Sequence, residues 1–111
     1  MAHTASHLVL VTTCPDRESA DVLAHGLVAE GLAACVNILP AARSVYRWKG
    51  AVEMADEHIL LVKTRADRYA DVEAAILARH PYELPEILGV PIEVGLAAYL
   101  AWVDDCVSAP A

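Results

Sequence analysis

The sequence contains no phenylalanine and few basic residues. Its 111 residues include eight Lys and Arg against 15 Asp and Glu, which gives a formal net charge of −7 at pH 7. Proteins that bind nucleic acid draw much of their affinity from basic groups that neutralise phosphates. An acidic chain without a basic stripe is therefore not expected to have nucleic acid as a partner. Without Phe, the core must be built mainly from Leu, Val and Ile.

Long hydrophobic runs are also missing. No apolar stretch approaches the ~18–20 residues that a membrane-spanning helix requires. The first seven residues contain no Lys or Arg, so they lack the charged start of a signal peptide. Three cysteines are an odd number, which fits reduced thiols better than a disulfide framework. We therefore expect a cytoplasmic protein that has no membrane partner.

The motifs of common enzymes and zinc proteins are absent as well. The five glycines form no phosphate-binding loop. There is no Cys-x-x-Cys pair, and no Asn or Asp is placed in the sequence to orient His80 as the base of a nucleophilic triad. Carboxylates and a histidine could perform acid–base catalysis, but the sequence indicates no substrate. We expect that the protein is not an enzyme.

Hydrophobic residues make up 57% of the chain, and the length fits one domain, residues 1–111, with flexible tails at 1–6 and 108–111. The apolar patterns predict strands at residues 8–13, 32–39, 51–63 and 87–94. They predict helices at residues 17–30 and 69–79, and a last helix that begins at residue 95. The order βαββαβ with an extra C-terminal helix is that of the α+β, ferredoxin-like fold, in which helices cover one face of an antiparallel sheet.

Short polar and turn residues mark the ends of these elements. Asp16 is a good N-cap for the first helix, and residues 64–67, Thr-Arg-Ala-Asp, resemble a capping box for the second. Pro40 interrupts the second strand, which indicates a bulge at a sheet edge. Extended residues resume at 44–48, and a Lys49-Gly50 turn leads to the third strand. The result is a long hairpin that can project beyond the domain and that a partner subunit would cover.

Residues 80–86, His-Pro-Tyr-Glu-Leu-Pro-Glu, combine an imidazole, a phenol and two carboxylates with two prolines. Proline restricts the residue before it to extended backbone, so this segment could hold its side chains in fixed directions. The same composition also suits a simple connection between a helix and a strand. Cys14, at the end of the first strand, could approach His80, and a thiolate with an imidazole favours copper or zinc. The spacing by itself is not that of a zinc site.

Three further residues are candidates for binding. Glu57 and Lys63 are six positions apart on the third strand, so alternation places both side chains on one face. Lys63 lies in an apolar run, where it is either solvated at the strand end or buried and paired. Trp48 lies near the hairpin tip, where a large aromatic residue indicates an oligomer contact.

Several short motifs of this sequence occur together in one known family. They are Ala33-Ala34-Cys35-Val36-Asn37-Ile38, Ser44-Val45-Tyr46-Arg47-Trp48-Lys49-Gly50, Lys63-Thr64, the segment 80–87 and Tyr99-Leu100-x-Trp102. With Glu57, they make the chain, from about residue 8 to residue 103, resemble the CutA divalent-cation-tolerance family. The resemblance implies a cytosolic homotrimer of ferredoxin-like subunits, similar to the PII signalling proteins, with long hairpins that join sheets across subunit boundaries. It also implies a role in tolerance of divalent metals, with copper binding in some members.

The resemblance further implies where ligands bind. His80 matches a copper ligand of the family directly. In some members a cysteine stands two residues before the position of Cys14, where this chain has Thr12, and a second histidine stands before His80, where this chain has Arg79. We expect a metal ion as a partner, with copper as the cofactor and other divalent cations as alternatives, bound by His80, Cys14 and Glu86. A cleft between subunits would be lined by Trp48, Glu57, Lys63, Tyr82 and Glu86.

Three functions are compatible with these patterns. The first is a trimeric protein that binds metal or responds to it. The second is a small-molecule sensor in the manner of the PII proteins, with Lys63, Tyr82 and Glu86 facing a polar or anionic ligand at the subunit boundary. The third is a structural or interaction trimer that has no ligand of its own.

Overall fold

The elements of the computed structural model follow one another in the predicted order. The structure describes residues 5–108. Within that range the elements are β1 (His7–Cys14), α1 (Arg17–Ala29), β2 (Cys35–Trp48), β3 (Ala51–Arg65), α2 (Tyr69–Arg79), β4 (Ile87–Pro91) and α3 (Ala97–Cys106). Antiparallel pairing in the order β2-β3-β1-β4 forms one sheet, so the α+β, ferredoxin-like fold is confirmed. In the part of the chain that is described, no helix is long and apolar enough to cross a bilayer.

The predicted tails lie mostly outside the described residues, at positions 1–4 and 109–111. Two of their inner residues are described and are hydrogen bonded. The Ser6 carbonyl accepts from the backbone N–H of Ala66 (2.8 Å). The Ser108 carbonyl accepts from the Arg68 guanidinium (2.9 Å). Both bonds connect the ends of the described chain to the turn between β3 and α2.

Helix α1 begins and ends at the residues that the sequence predicted. The Asp16 side chain accepts from the Ser19 N–H (2.8 Å), which satisfies one of the free N–H groups of the first turn. One face of the helix is buried and consists of Ala20, Leu23, Ala24 and Leu27. After the last turn, Gly31 has a φ of +71°, a conformation that glycine adopts without strain. The Leu27 carbonyl then accepts from the N–H of Leu32 (3.0 Å), which caps the C-terminus.

A bulge interrupts the pairing of β2 with β3, where Pro40 predicted one. The register shifts between Leu39 and Ala42, so that two residues of β2 stand opposite one residue of β3. Pro40 is tolerated there because β2 is an edge strand and proline has no N–H to donate to the ladder. The bulge separates the inner part of the hairpin, which belongs to the four-stranded sheet, from the outer part.

The outer part of the hairpin projects beyond the sheet, as predicted. β1 pairs with β3 only from His58 to Arg65, so residues 42–48 and 51–57 form a ribbon of two strands. Lys49 (φ 48°) and Gly50 (φ 83°) form its turn, and two successive positive φ values are typical of a type I′ turn. The ribbon carries exposed apolar side chains, namely Val45, Val52 and Met54. Because an isolated two-stranded ribbon is marginally stable in water, these side chains favour contact with a partner.

Helices α1 and α2 cover one face of the sheet. The core between them includes Leu10, Leu60 and Val62 from the strands and Leu27 and Ile76 from the helices. Side chains alternate along each strand, so the opposite face carries the intervening residues. That opposite face, called the open face below, carries exposed apolar residues at both edges of the sheet, Leu39 on β2 and Leu88 with Val90 on β4. Helix α3 contacts part of the same face, where Asp104 lies 2.8 Å from His7. The adjacent pair Leu88 and Val90 favours a contact surface.

The predicted capping box at the start of α2 is wrong. Thr64 belongs to β3, and its hydroxyl donates to the Leu32 carbonyl (2.6 Å) instead of capping a helix. Asp67 binds the Arg65 guanidinium with both carboxylate oxygens (2.9 and 2.7 Å). A 3₁₀ turn, Ala66–Arg68, follows, and α2 begins at Tyr69 without a side-chain cap. The pairing of β3 with β1 continues through Thr64 and Arg65, so these residues belong to the strand and the helix begins later than the sequence pattern indicated.

Two strand boundaries differ by three residues from the predicted ones, and the ends of β1 and β3 differ by one or two. β2 begins at Cys35 and not at residue 32, because the N–H groups of Leu32 and Ala33 both donate to the Leu27 carbonyl and so complete the end of α1. β4 ends at Pro91 and not at residue 94. The next N–H, that of Ile92, still donates to the His7 carbonyl (3.0 Å), after which the chain turns toward α3.

Replacing Thr64 with Val should lower the free energy of unfolding by about 1–3 kcal/mol, because it leaves the buried Leu32 carbonyl without its donor. Thr64 is fully buried and Val has the same shape, so packing is conserved. Thr64→Ser is the matched control, since it keeps the hydroxyl and loses one methyl group. Urea unfolding at fixed protein concentration measures both. Equal destabilisation in the two variants would show that the hydrogen bond is not the cause.

Candidate functional site

Residues 80–86 connect α2 to β4 and carry the candidate site. α2 ends at Arg79, and His80 has extended backbone (φ −76°, ψ 137°), as expected before proline. The His80 N–H donates to the Ile76 carbonyl (2.8 Å), which closes the last helical turn. From there the side chains of His80 and Tyr82 reach β1 and β3, as the hydrogen bonds below show.

The imidazole of His80 is hydrogen bonded at both nitrogens. Nε2 lies 2.6 Å from the Thr13 carbonyl, which can only accept, so Nε2 carries the proton. Nδ1 accepts from the backbone N–H of Tyr82 (3.1 Å), so Nδ1 is bare. These two partners fix the tautomer and the orientation of the ring. His80 therefore anchors its segment to the end of β1.

Cys14 is the closest metal-ligating side chain to His80. Its Sγ lies 3.9 Å from His80 Nε2. The thiol is fully buried in the core, and burial is the largest cause that raises its pKa to about 11. A hydrogen bond with Ser19 opposes this shift, and the charges of Asp16 and Glu57 add to it. At neutral pH Cys14 is therefore a protonated thiol, and it packs as an apolar residue.

Glu57 is a buried carboxylate that accepts a hydrogen bond from Tyr82. It is 7% exposed. Tyr82 Oη donates to its Oε2 (2.7 Å). Burial by itself raises the pKa of Glu57, but the nearby hydroxyls of Ser44, Tyr82 and Thr13 and the charge of His80 favour the charged form and hold the pKa below its usual value. Glu57 is therefore ionised at neutral pH.

Tyr82 is tied to this carboxylate from the other side. Burial and then the hydrogen bond to Glu57 raise the pKa of Tyr82 well above its ordinary value. The phenol therefore keeps its proton and remains a donor to Glu57. Its backbone N–H donates to His80 Nδ1 at the same time. The centroid of its ring lies 4.9 Å from that of the imidazole. Tyr82 thus links the His80 anchor to the buried charge.

A cavity of about 870 Å³ opens beside Glu57. Its walls come from the outer hairpin, residues 44–48, and from residues 82–88, with Thr13 and Glu57 completing the lining. Four of the five residues predicted for a cleft line it, namely Trp48, Glu57, Tyr82 and Glu86. Residues of the 80–86 segment and of the outer hairpin therefore form two walls of this cavity.

Lys63, the fifth predicted cleft residue, lies elsewhere. It is six residues from Glu57 along β3, which corresponds to about 20 Å of extended strand. Its Nζ donates to the Asn37 side chain and lies 3.9 Å from Cys35 Sγ. Lys63 is half-buried and paired, which lies between the two situations that the sequence allowed. Within one subunit it does not share a ligand site with Tyr82 and Glu86.

Sequence reasoning did not find Thr13 and Ser44 as partners of Glu57. Thr13 is a buried polar residue in an apolar strand, and this is the signal that could have indicated it. Ser44 lies just beyond the bulge in β2. Only the pairing register, which depends on the bulge, brings its hydroxyl to Glu57.

Comparison with known proteins identifies the family. The family model described as CutA1 divalent ion tolerance protein matches residues 8–106. The chain belongs to this family. The resemblance that the sequence motifs indicated is thereby confirmed, and the CutA family is named for tolerance of divalent ions and not for a reaction.

Individual CutA proteins are similar over most of the chain. The CutA homolog of Xenopus laevis is 43% identical over 95 residues, which cover 86% of this chain and 63% of that protein. The chain thus spans less than two thirds of the frog protein. The divalent-cation tolerance protein CutA of Thermus thermophilus is 44% identical over 97 residues, which cover 87% of this chain and 94% of that one. The crystal structure of CutA1 from Oryza sativa superposes with a TM-score of 0.91 at 36% identity, over 95% and 96% of the two chains.

Two of the three metal ligands that the sequence predicted lie close together, and the third lies apart from them. Within residues 5–108 no three His, Cys, Asp or Glu side chains are grouped closely enough to hold a metal ion. Cys14 and His80 lie together, whereas the third expected ligand, Glu86, is exposed and lines the cavity. A metal ion held by Cys14 and His80 would need further ligands from water or from another subunit.

Replacing Tyr82 with Phe should destabilise this CutA protein by about 1–3 kcal/mol, because the buried, charged Glu57 loses one of its donors. Tyr46→Phe is the matched control, since Tyr46 lines the same cavity but is half-exposed to solvent. Chemical unfolding at fixed protein concentration compares the two variants. A Tyr82→Phe protein as stable as the control would show that Tyr82 does not support the buried charge.

Proposed function

We propose that this CutA protein acts in copper tolerance, in the cytoplasm and as a homotrimer, by binding the ion between Cys14 and His80. The observation that carries the proposal is the approach of the two potential ligand atoms, Cys14 Sγ and His80 Nε2, to 3.9 Å. Glu86, in the same segment as His80, is the proposed third ligand. Copper is favoured because a thiolate with an imidazole suits soft and borderline ions, and Cu(I) prefers thiolate.

The separation of the two atoms is compatible with one shared ion. Bonds of about 2.3 Å to sulfur and about 2.0 Å to nitrogen place two ligands of a tetrahedral ion about 3.5 Å apart. A wider angle between the two bonds lengthens that separation toward the observed 3.9 Å. Only small side-chain movements are therefore needed to bring both atoms to one ion.

Both ligand atoms carry a proton in the structure, and both protons must leave for a metal ion to bind. His80 would also give up its hydrogen bond to the Thr13 carbonyl, which anchors the segment to β1. Metal affinity in this protein should therefore be lower than in a site whose ligands are free. The same coupling means that an ion at His80 would act on the segment that carries Tyr82.

Copper titration of His80→Ala tests the proposal. The unmodified, tag-free protein should bind about one ion per subunit, with Cu(I) under anaerobic reducing conditions and Cu(II) titrated separately. His80→Ala should weaken binding by at least about tenfold, and Cys14→Ser should also weaken it. His25→Ala is the matched control, because His25 is exposed on α1 and its ring contacts only the local Asp21 carbonyl among the described residues.

If His80→Ala binds copper as tightly as the unmodified protein, the proposed site is contradicted, whether that shared affinity is high or low. Equal weakening in His25→Ala would show that binding is spread over surface imidazoles. The mass of each variant in solution is measured alongside, so that a loss of binding is not confused with a loss of assembly.

Two features support the homotrimer that the family resemblance implies. The outer hairpin has no third strand beside it within residues 5–108 and carries exposed apolar side chains. The open face of the sheet is apolar as well, with Leu39, Leu88 and Val90 exposed. Exposure of either surface to water is unfavourable, and contacts between subunits at these surfaces would bury both.

Light scattering of the purified protein should give three times the 11.9-kDa mass of one chain. Replacing Leu88 and Val90 together with Asp should lower that mass, because two charges would be buried at the subunit contact without partners. Val22→Asp is the matched control, since Val22 is exposed on α1, on the covered side of the sheet. A single-chain mass for the unmodified protein would contradict the trimer.

A second candidate function is a small-molecule sensor in the manner of the PII proteins. The cavity beside Glu57 is the specific observation that favours it, because the cavity has both apolar walls and a buried polar group, as ligand sites usually have. If neither a metal ion nor a small molecule binds, the third candidate applies, a structural trimer that has no ligand of its own.

A further inference from the structure

Glu57 is a buried negative charge that no lysine or arginine of the described chain pairs with. The residue is 7% exposed and its carboxylate is ionised, as described above; the only charged neighbour that favours its ionised form among the described residues is the imidazole of His80. No lysine or arginine within residues 5–108 forms a salt bridge with it; the guanidinium groups there pair with other carboxylates, such as Arg43 with Asp56 on the neighbouring ribbon. A buried charge without a counter-ion is unfavourable even when it is hydrogen bonded. The site therefore has the electrostatic character of a receptor for a cation.

The hydrogen bonds of Glu57 restrict what that cation can be. A carboxylate offers about four lone-pair positions. Tyr82 Oη donates to one of them, and the hydroxyls of Thr13 and Ser44 lie near the same carboxylate and favour its charged form. The remaining positions suit an N–H donor. A divalent metal ion such as Ca²⁺ or Mg²⁺ instead requires several oxygen ligands in a closed shell, and the Tyr82 hydroxyl, which already donates to Glu57, does not supply one in this orientation.

The walls of the cavity favour an organic cation. Three carboxylates line it, those of Glu57, Glu83 and Glu86, against one guanidinium, that of Arg47, which leaves a formal charge of −2. The aromatic rings of Tyr46 and Trp48 form part of the same lining. Lys49 Nζ lies 5.8 Å from the centre of the Trp48 ring and makes a cation–π contact with it.

We propose that the cavity binds a small primary ammonium compound that carries an apolar group. Its ammonium group donates to Glu57, and its apolar part packs against Tyr46 and Trp48. The volume of about 870 Å³ is sufficient for a molecule of this size. This inference rests on the second candidate function, the small-molecule sensor, and names the chemical class of its ligand. Its charged anchor, Glu57, is not one of the proposed copper ligands, so the inference does not depend on the copper proposal; Glu86 is the one residue that both share.

Titration with 2-phenylethylammonium tests the inference, with 2-phenylethanol as the neutral match and 3-phenylpropionate as the anionic match. Binding is followed by NMR at the resonances of Tyr82 and Trp48 in the full-length, assembled protein. We expect the ammonium compound to bind at least about tenfold more tightly than either match, because a hydrogen bond to a buried charged group supplies that difference.

Glu57→Gln should weaken binding of the ammonium compound by at least about tenfold, since it removes the charge and keeps the shape. Glu53→Gln is the matched control: Glu53 lies on the same strand, is exposed and does not line the cavity. Trp48→Leu should weaken binding by about twofold to fivefold, because the apolar part of the ligand loses its contact with the aromatic ring. This second variant leaves the buried carboxylate intact, so it tests the cavity even if Glu57→Gln does not fold.

The outcomes separate the ligand class from the sensor function. Equal affinity for the ammonium compound and its neutral match, or affinity unchanged in a folded Glu57→Gln protein, would overturn the inference. Binding of 3-phenylpropionate alone would also overturn it, while the sensor function would stand with an anionic ligand. Absence of any binding by the three compounds, with the assembled protein intact, would count against both.

Discussion

The buried charge of Glu57 constrains more of this molecule than any other single group. Three nearby hydroxyls favour its charged form, and each comes from a different part of the chain: Thr13 from β1, Ser44 from β2 and Tyr82, which donates to it, from the segment before β4. If one of these elements moved, the ionised carboxylate would lose part of its polar surroundings in a water-poor site. The bulge that Pro40 introduces is part of the same arrangement, because it sets the register that brings Ser44 to Glu57. The candidate cavity exists where these elements meet, so the stability of the fold and the shape of the site depend on the same hydrogen bonds.

His80 illustrates how a structural and a ligand role compete for the same atoms. Its two nitrogens hold the 80–86 segment between the Thr13 carbonyl and the Tyr82 amide. The nitrogen nearest to Cys14 is the one that carries the proton, and the thiol beside it is buried and protonated. A histidine whose two nitrogens are both hydrogen bonded holds its segment in place. It must break one of these bonds before it can bind a metal ion. The copper proposal and the structural role can both hold, because they describe two protonation states of one pair.

The exposed hairpin and the open face of the sheet explain why a small chain of this composition is expected to assemble. Alanine is frequent and Phe is absent, so α1 and α2 over one face bury a modest core, and α3 adds a small second cluster with Ala34. Leu88 and Val90 on the other face and the apolar side chains of the ribbon remain in contact with water. The hairpin and the segment before β4 frame the cavity, and both lie next to these surfaces. A ligand in the cavity and contacts between subunits would therefore influence the same hairpin.

Local signals in the sequence determined the elements, and the order of those elements determined the ferredoxin-like fold. Asp16, Gly31, Pro40 and the Lys49-Gly50 turn each act on neighbouring backbone, so their effects could be predicted from neighbouring residues alone. The family followed from short motifs, because their combination is specific. Contacts between distant residues were decided by the tertiary structure. Thr64 gives its hydroxyl to Leu32 and not to a helix, Lys63 pairs with Asn37 far from the cavity, and Thr13 and Ser44 meet at Glu57. The physical reason is that strand pairing and packing bring together polar groups that are far apart in the chain, and these groups compete for hydrogen bonds that local patterns assign elsewhere.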